Sequence, residues 1–247
     1  MNNQRKELLL ISNSTQHGRG YLDHAESEIR DLLGPRKRVL FAPYALHDRD
    51  GYADIAARRF AAMSYQLDSI HRASNPRQAV EGAEALFVGG GNTFRLLKTL
   101  YDNDLLEPIR ARVEHGMPYI GASAGTVIAC PTIRTTNDMP IVEPPSLTAL
   151  GLIWFQLNCH YLDPDPASTH MGETREERLL QFQEENDWPV VSLREGDMLR
   201  IENGTAILKG TKGARIFRRG QPPVEVAPGT ILAPYLASVE SGTPIEN

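Results

Sequence analysis

From residue 7 to residue 130 the chain alternates short, continuous apolar runs with longer stretches whose apolar positions recur at helical spacing. Residues 7–12 read as a strand that ends in the polar Asn13-Ser14-Thr15. Residues 22–33 read as a helix (Leu22, Ala25, Ile29, Leu32, Leu33) stopped by Gly34-Pro35. Residues 38–44 predict a second strand, 52–63 a helix, 67–71 a short strand and 76–81 a brief helix. Residues 85–88 predict a buried strand that runs into Gly89-Gly90-Gly91-Asn92-Thr93. Helices follow over 94–100 and 105–115, the second closed by Gly116. Residues 118–120 end a further buried strand, residues 126–129 open a helix, and Gly121-Ala122-Ser123-Ala124-Gly125 lies between them.

Strands alternating with helices imply parallel pairing through right-handed crossovers. The expected fold is α/β, with a doubly wound, mostly parallel sheet covered on both faces. Ligands in such sheets bind at the carboxyl ends of the strands, where the polar loops 13–20, 43–51, 89–93 and 121–125 fall. Beyond residue 130 the texture changes. Residues 131–146 are polar and punctuated by proline, residues 152–160 are strand-like, and 161–171 form a second proline-rich loop. Residues 173–185 read as a charged amphipathic helix, and 190–193, 198–202, 205–208 and 214–217 as short strands. Asn203-Gly204 is a hairpin signal, so a C-terminal antiparallel β ribbon is expected. Nothing marks a linker or a repeat, and residues 1–247 are expected to form a single domain.

Composition narrows the function classes. Of 247 residues, 41% are hydrophobic and 23% charged, the net charge is −5, and acidic and basic residues are interspersed. No basic block or aromatic–basic interleaving points to nucleic acid, and the apolar runs are strand-sized, so neither nucleic acid nor a membrane is an expected partner. The polar residues 1–7 lead straight into a strand, with no sign of a signal peptide. Cys130 and Cys159 read as small buried reduced thiols of a cytoplasmic protein.

In Gly121-Ala122-Ser123-Ala124-Gly125 the glycines permit a sharp turn and close packing, the serine hydroxyl points out of it, and the Ala124 N–H faces the place where negative charge develops. A structural turn with a serine N-cap is the plainer alternative. A serine nucleophile needs a base and a group that holds the base. Of seven histidines, His115 reads as a helix cap, while His160, which follows an apolar run, is preferred as base over His17 and His170. For the acid, Asp138 lies in the long loop and Glu195 in a Glu-Gly-Asp turn; chain order does not choose between them. Gly89-Gly90-Gly91 lacks the ending of a P-loop and the spacing of a dinucleotide fingerprint, and suits an oxyanion hole better. His160, Asp163, Asp165 and His170 match no regular metal-ligand spacing.

Read together, Gly-Ala-Ser-Ala-Gly, Val-Gly-Gly-Gly-Asn-Thr-Phe, Thr-Thr-Asn-Asp-Met-Pro-Ile-Val, Gly-Glu-Thr-Arg-Glu and the initial Leu-Leu-Leu-Ile-Ser-Asn-Ser-Thr closely resemble the peptidase E family of α-aspartyl dipeptidases over roughly the whole chain. The resemblance implies a class I glutamine amidotransferase-like fold with serine in place of cysteine. It also implies hydrolysis of dipeptides with an N-terminal aspartate, without metal or cofactor. Carried over by position, Ser123 matches the nucleophile and His160 the histidine. Glu195 and Asp138 both match acids proposed for the third place. Gly91 (or Gly90) and Ala124 would donate to the oxyanion, and Arg175 would hold the aspartyl carboxylate, a group that a guanidinium grips with two parallel hydrogen bonds. His170, Arg134 and Asn92 are further candidates for substrate contact. Asn158-Cys159-His160 departs from the family's Asn-Pro-His, and Leu162 stands where the amidotransferases place their acid. A cyanophycinase-like β-aspartyl peptidase and a non-catalytic small-molecule sensor of the same fold are the alternatives. The expected partner is a small peptide, and the chain is expected to be a monomer or homodimer.

Overall fold

Leu8, Leu9, Leu10 and Ile11 are all fully buried, which a strand achieves only when both of its faces are covered. In the computed structural model, which describes residues 6–165, 167, 169 and 171–237, these residues form β1 (Glu7–Ile11). Leu8 and Leu10 join one apolar cluster and Leu9 and Ile11 another, one on each side of the sheet. The chain continues through α1 (Glu26–Leu33), β2 (Arg38–Ala42), α2 (Arg49–Ala62), β3 (Gln66–Ser69), α3 (Pro76–Glu81), β4 (Leu86–Val88), α4 (Thr93–Asp102), α5 (Leu106–Glu114), β5 (Tyr119–Ala122) and α6 (Ala124–Ile128). It then runs through β6 (Gln156–Asn158), α7 (Arg175–Glu185), β7 (Val190–Leu193), β8 (Met198–Glu202), β9 (Thr205–Lys209), β10 (Ala214–Phe217), β11 (Val224–Val226) and α8 (Ala233–Leu236).

The main sheet has seven strands in the order β3-β2-β4-β5-β1-β8-β9. The first five are parallel, as the alternation of strands and helices predicts. The doubly wound α/β expectation stands. The C-terminal strands, however, are divided between two sheets rather than forming one ribbon. The β8–β9 hairpin extends the main sheet antiparallel to β1, and β11-β10-β7-β6 form a second sheet. Within that sheet β7 pairs antiparallel with β10 but parallel with β6. The reason is long-range: β1 is flanked by β5 on one side only, and the apolar β8 completes its other edge. The Asn203-Gly204 turn has the expected hairpin backbone, with φ of 50° and 78°.

Other boundaries shift for local reasons. The predicted helix over 22–33 begins with a 3-10 turn, Asp23–Ala25, after Leu22 in a left-handed conformation. The strand-like run 152–160 shortens to β6, because Leu150, Gly151, Leu152 and Ile153 instead hydrogen-bond back to residues 128–130 at the end of α6. β11 and α8 carry no strong pattern and were not expected. No described helix is long and apolar enough to cross a membrane.

Candidate active site

Ser123 sits between β5 and α6 with φ 52° and ψ −110°, a conformation that costs a non-glycine residue energy and needs the surroundings to hold it. Close packing on both sides supplies the hold. A Cβ on Gly121 would lie 2.5 Å from the Gly125 carbonyl oxygen, and one on Gly125 would lie 2.1 Å from the Val88 carbonyl oxygen. Only glycine lets these backbones meet. Although Ser123 occupies the N-cap position, its side chain makes no capping bond, which leaves the hydroxyl free to point elsewhere.

That hydroxyl lies 2.9 Å from His160 Nε2, and His160 Nδ1 lies 2.9 Å from Glu195 Oε1. His160 follows β6 and Glu195 follows β7, so the parallel pairing of these two strands, with Asn158 opposite Ser192, brings the two side chains together. Ser123 comes from the other sheet. The three are joined by the last residue of β1 and the two that follow it. The Ser123 N–H donates to the Ile11 carbonyl at 2.9 Å, and the His160 N–H to Ser12 Oγ at 2.9 Å. The N–H of Gly196, beside Glu195, donates to Asn13 Oδ1 at 2.7 Å. Ser12 Oγ in turn donates to the Leu193 carbonyl at 2.9 Å, at the end of β7. His160 has φ 54°, a second left-handed residue held by its surroundings. Ser12 and Asn13 are 0% and 1% exposed, so these bonds are sheltered from water. This arrangement is absent from the sequence-based picture; its one visible signal is a polar Ser-Asn pair directly after an all-buried strand.

Arg194 braces the same region. Its guanidinium donates to both oxygens of Asp163, at 2.8 and 2.6 Å, and to Glu225 at 3.0 Å, and lies over the Tyr161 ring. Arg194 holds the Asp163 carboxyl below its ordinary range, and the two carboxylates push the guanidinium's own affinity for its proton upward.

Asp138 is placed elsewhere. Its Oδ2 accepts from the Thr93 N–H (2.7 Å), the Thr93 hydroxyl (2.5 Å) and the Thr136 hydroxyl (3.1 Å), and it makes no bond to His160. An asparagine pair stitches its loop to β6: Asn158 Nδ2 donates to Asn137 Oδ1 at 3.0 Å, and Asn137 Nδ2 to the Cys159 carbonyl at 2.7 Å. Of the two acids left open by the sequence, the one beside the imidazole is Glu195.

Two cavities meet at Ser123, Asp138 and His160, one of about 200 Å³ and one of about 480 Å³. The smaller is also lined by Ala124 and Arg175, the larger by Gly90 and Gly91. Arg175 opens α7, where Thr174 and Glu177 form a reciprocal capping box. Burial first, and repulsion by Arg178 second, lower its proton affinity, while the nearby Asp138 raises it. A half-buried guanidinium at a helix N-terminus favours an anion on two counts.

The glycine turn is more specific than expected. The Gly90 N–H is engaged, donating to Tyr52 Oη at 2.8 Å. The Gly91 N–H and the Ala124 N–H donate to no other described residue. This favours Gly91 over Gly90 as partner to Ala124. Tyr52, not foreseen from sequence, therefore fixes the turn. A Cβ on Gly90 would lie 3.0 Å from the Ser123 Cβ, so the turn rests directly against the serine.

Two of the three further candidates for substrate contact are not brought to the site. Asn92 caps α4 through the Arg95 N–H and donates to the Met139 carbonyl, Arg134 is exposed and lines neither cavity, and His170 lies outside the described residues. His17 is likewise exposed, and His115 caps α5 as expected, its Nδ1 2.6 Å from the Ala111 carbonyl. Burial pushes the Cys130 thiol up to about 12 and the Cys159 thiol up as well. Among the described residues no cluster of three or more His, Cys, Asp or Glu side chains is placed to hold a metal ion.

A hydroxyl bonded to an imidazole whose far nitrogen meets a carboxylate, beside two unengaged N–H groups, is able to attack a carbonyl and stabilise the resulting oxyanion. Comparison with known proteins agrees with this chemistry. A protein named Peptidase E from Streptomyces coelicolor is 54% identical over 229 residues, covering 93% of this chain and 94% of that one. A probable alpha-aspartyl dipeptidase from Drosophila melanogaster is 46% identical over 226 residues, covering 90% and 94%. The crystal structure of a peptidase from an acI-B1 Actinobacterium shares the fold, with a TM-score of 0.68 at 16% identity over 94% of this chain and 98% of that one. The sequence model of Peptidase family S51 matches residues 8–209, and the chain belongs to that family.

Proposed function

We propose that this protein is a serine-type exopeptidase that hydrolyses dipeptides with an N-terminal aspartate, Asp-Xaa, through an aspartyl-enzyme. The observation that carries this reading is the unbroken chain from Ser123 Oγ through the His160 ring to Glu195, opening onto a cavity that also holds Arg175. The names of the relatives, peptidase E and alpha-aspartyl dipeptidase, support the aspartyl preference.

His160 Nε2 takes the proton of Ser123 as Oγ attacks the carbonyl carbon of the aspartyl residue. Glu195 keeps the ring in the tautomer with hydrogen on Nδ1 and stabilises the imidazolium. The oxyanion accepts hydrogen bonds from the Gly91 and Ala124 N–H groups. His160 then returns the proton to the departing amine, and water, activated by the same imidazole, releases aspartate. Arg175 pairs with the β-carboxylate of the substrate. Buried, high-pKa thiols suit a protein at work in the cytoplasm.

The test is turnover of Asp-Leu beside a β-Asp-Arg dipeptide by wild type and by Ser123→Ala. Asp-Leu hydrolysis that disappears in Ser123→Ala is expected. Cleavage of the β-linked peptide alone would move the protein to the β-aspartyl class, and full activity in Ser123→Ala would remove the nucleophile.

A further inference from the structure

Asp138 faces the reacting centre yet has no place in the Ser123–His160–Glu195 chain. Its carboxylate is held from one side: every hydrogen bond from Thr93 and Thr136 falls on Oδ2, and among the described residues none falls on Oδ1. Asp138 lines both cavities at Ser123. Among the described residues that line those cavities, Asp138 is the sole carboxylate and Arg175 the sole guanidinium or ammonium.

An N-terminal aspartyl residue brings one anion, its β-carboxylate, and one cation, its free α-ammonium. Standard bond lengths put the ammonium nitrogen about 2.5 Å from the carbonyl carbon under attack. A charge-assisted hydrogen bond adds about 2.8 Å. The acceptor must therefore border the same space as Ser123 Oγ, a condition that Asp138 meets and that Glu195, behind the imidazole, does not.

We infer that Asp138 receives the free α-ammonium of the substrate on Oδ1 and is the residue that makes the enzyme act only at a chain's N-terminal aspartate. The inference rests on the dipeptidase reading and deepens it. Arg175 and Asp138 together form a zwitterionic pair of contacts complementary to the aspartyl residue. An acylated or internal aspartate presents a neutral amide instead, and leaves the Asp138 carboxylate facing a group without charge.

The test compares L-aspartic acid α-p-nitroanilide with its desamino analogue, succinic acid mono-p-nitroanilide, in wild type and Asp138→Asn. The ratio of the two kcat/KM values within one variant does not depend on the fraction of active enzyme, so partial misfolding can neither mimic nor hide the effect. Asp138→Asn is expected to lower the aspartyl-to-succinyl ratio on the order of 10–100-fold. Calorimetric affinities for L-aspartate and succinate supply the same ratio if a variant turns over too slowly to follow. An unchanged ratio, with both activities lowered together or with neither lowered, overturns the assignment. Wild type that hydrolyses no aspartyl substrate at all refutes instead the dipeptidase reading, and the inference falls with it.

Discussion

Replacing Glu195 by Gln keeps an acceptor oxygen 2.9 Å from His160 Nδ1 but removes the charge that faces the imidazolium formed during attack. Two unit charges about 4 Å apart attract by about 1 kcal/mol in water and about 4 kcal/mol at an effective dielectric constant of 20. The side chains of His160 and Glu195 are 40% and 45% exposed, which places the pair between these limits. A loss of about 2–3 kcal/mol of transition-state stabilisation follows, or about 30- to 150-fold in kcat. Because Glu195 touches the imidazole and lines neither cavity, KM for Asp-Leu should stay near the wild-type value. Steady-state assay of Asp-Leu hydrolysis reads both constants. A kcat within threefold of wild type, or a loss confined to KM, would refute the role assigned to Glu195.

Further perturbations probe the surroundings. Ser12→Ala leaves the His160 N–H without its partner, at a cost of about 1–3 kcal/mol, while the Leu193 carbonyl keeps the Tyr161 N–H at 3.0 Å; kcat and Tm should both fall, and wild-type values for both would refute the positioning role. Gly125→Ala drives a Cβ to within 2.1 Å of a backbone oxygen of β4, so its thermal transition should drop by more than 10 °C. Gly82→Ala, whose Cβ would meet nothing closer than 3.6 Å, should melt within about 2 °C of wild type. The folded-state pKa of Asp163 is depressed by Arg194, so its stabilising contribution is present above the unfolded value of about 3.9 and is lost as pH falls through the lower folded value. The Tm difference between wild type and Asp163→Asn should therefore be constant from pH 7 to 5 and shrink below about pH 4.

The parallel half of the main sheet is legible in the sequence because each strand is a continuous apolar run bounded by glycine or polar residues, and each crossover carries helical spacing. Ser123 is legible for a related reason: the glycines that permit its backbone lie two residues away on either side. The acid is not. Asp138 and Glu195 are both loop carboxylates, and what separates them is that β6 pairs parallel with β7 while the 131–146 loop docks on Thr93, contacts that join residues 34 to 45 positions apart. No local pattern encodes such pairings. The same holds for Tyr52, which reads as an ordinary apolar helix residue until the sheet brings Gly90 onto its hydroxyl.

The three consecutive residues Ile11, Ser12 and Asn13 reach the backbone of Ser123, of His160 and of the residue after Glu195 in turn. Spacing along one short segment, not the lengths of the intervening loops, therefore sets the distances among groups that lie up to 72 positions apart in the chain. An insertion between the exposed Pro145 and Ser146 should leave those distances intact. A single residue inserted after Ile11 would displace two of the three contacts at once, so this short stretch is where the chain can least tolerate a change of length.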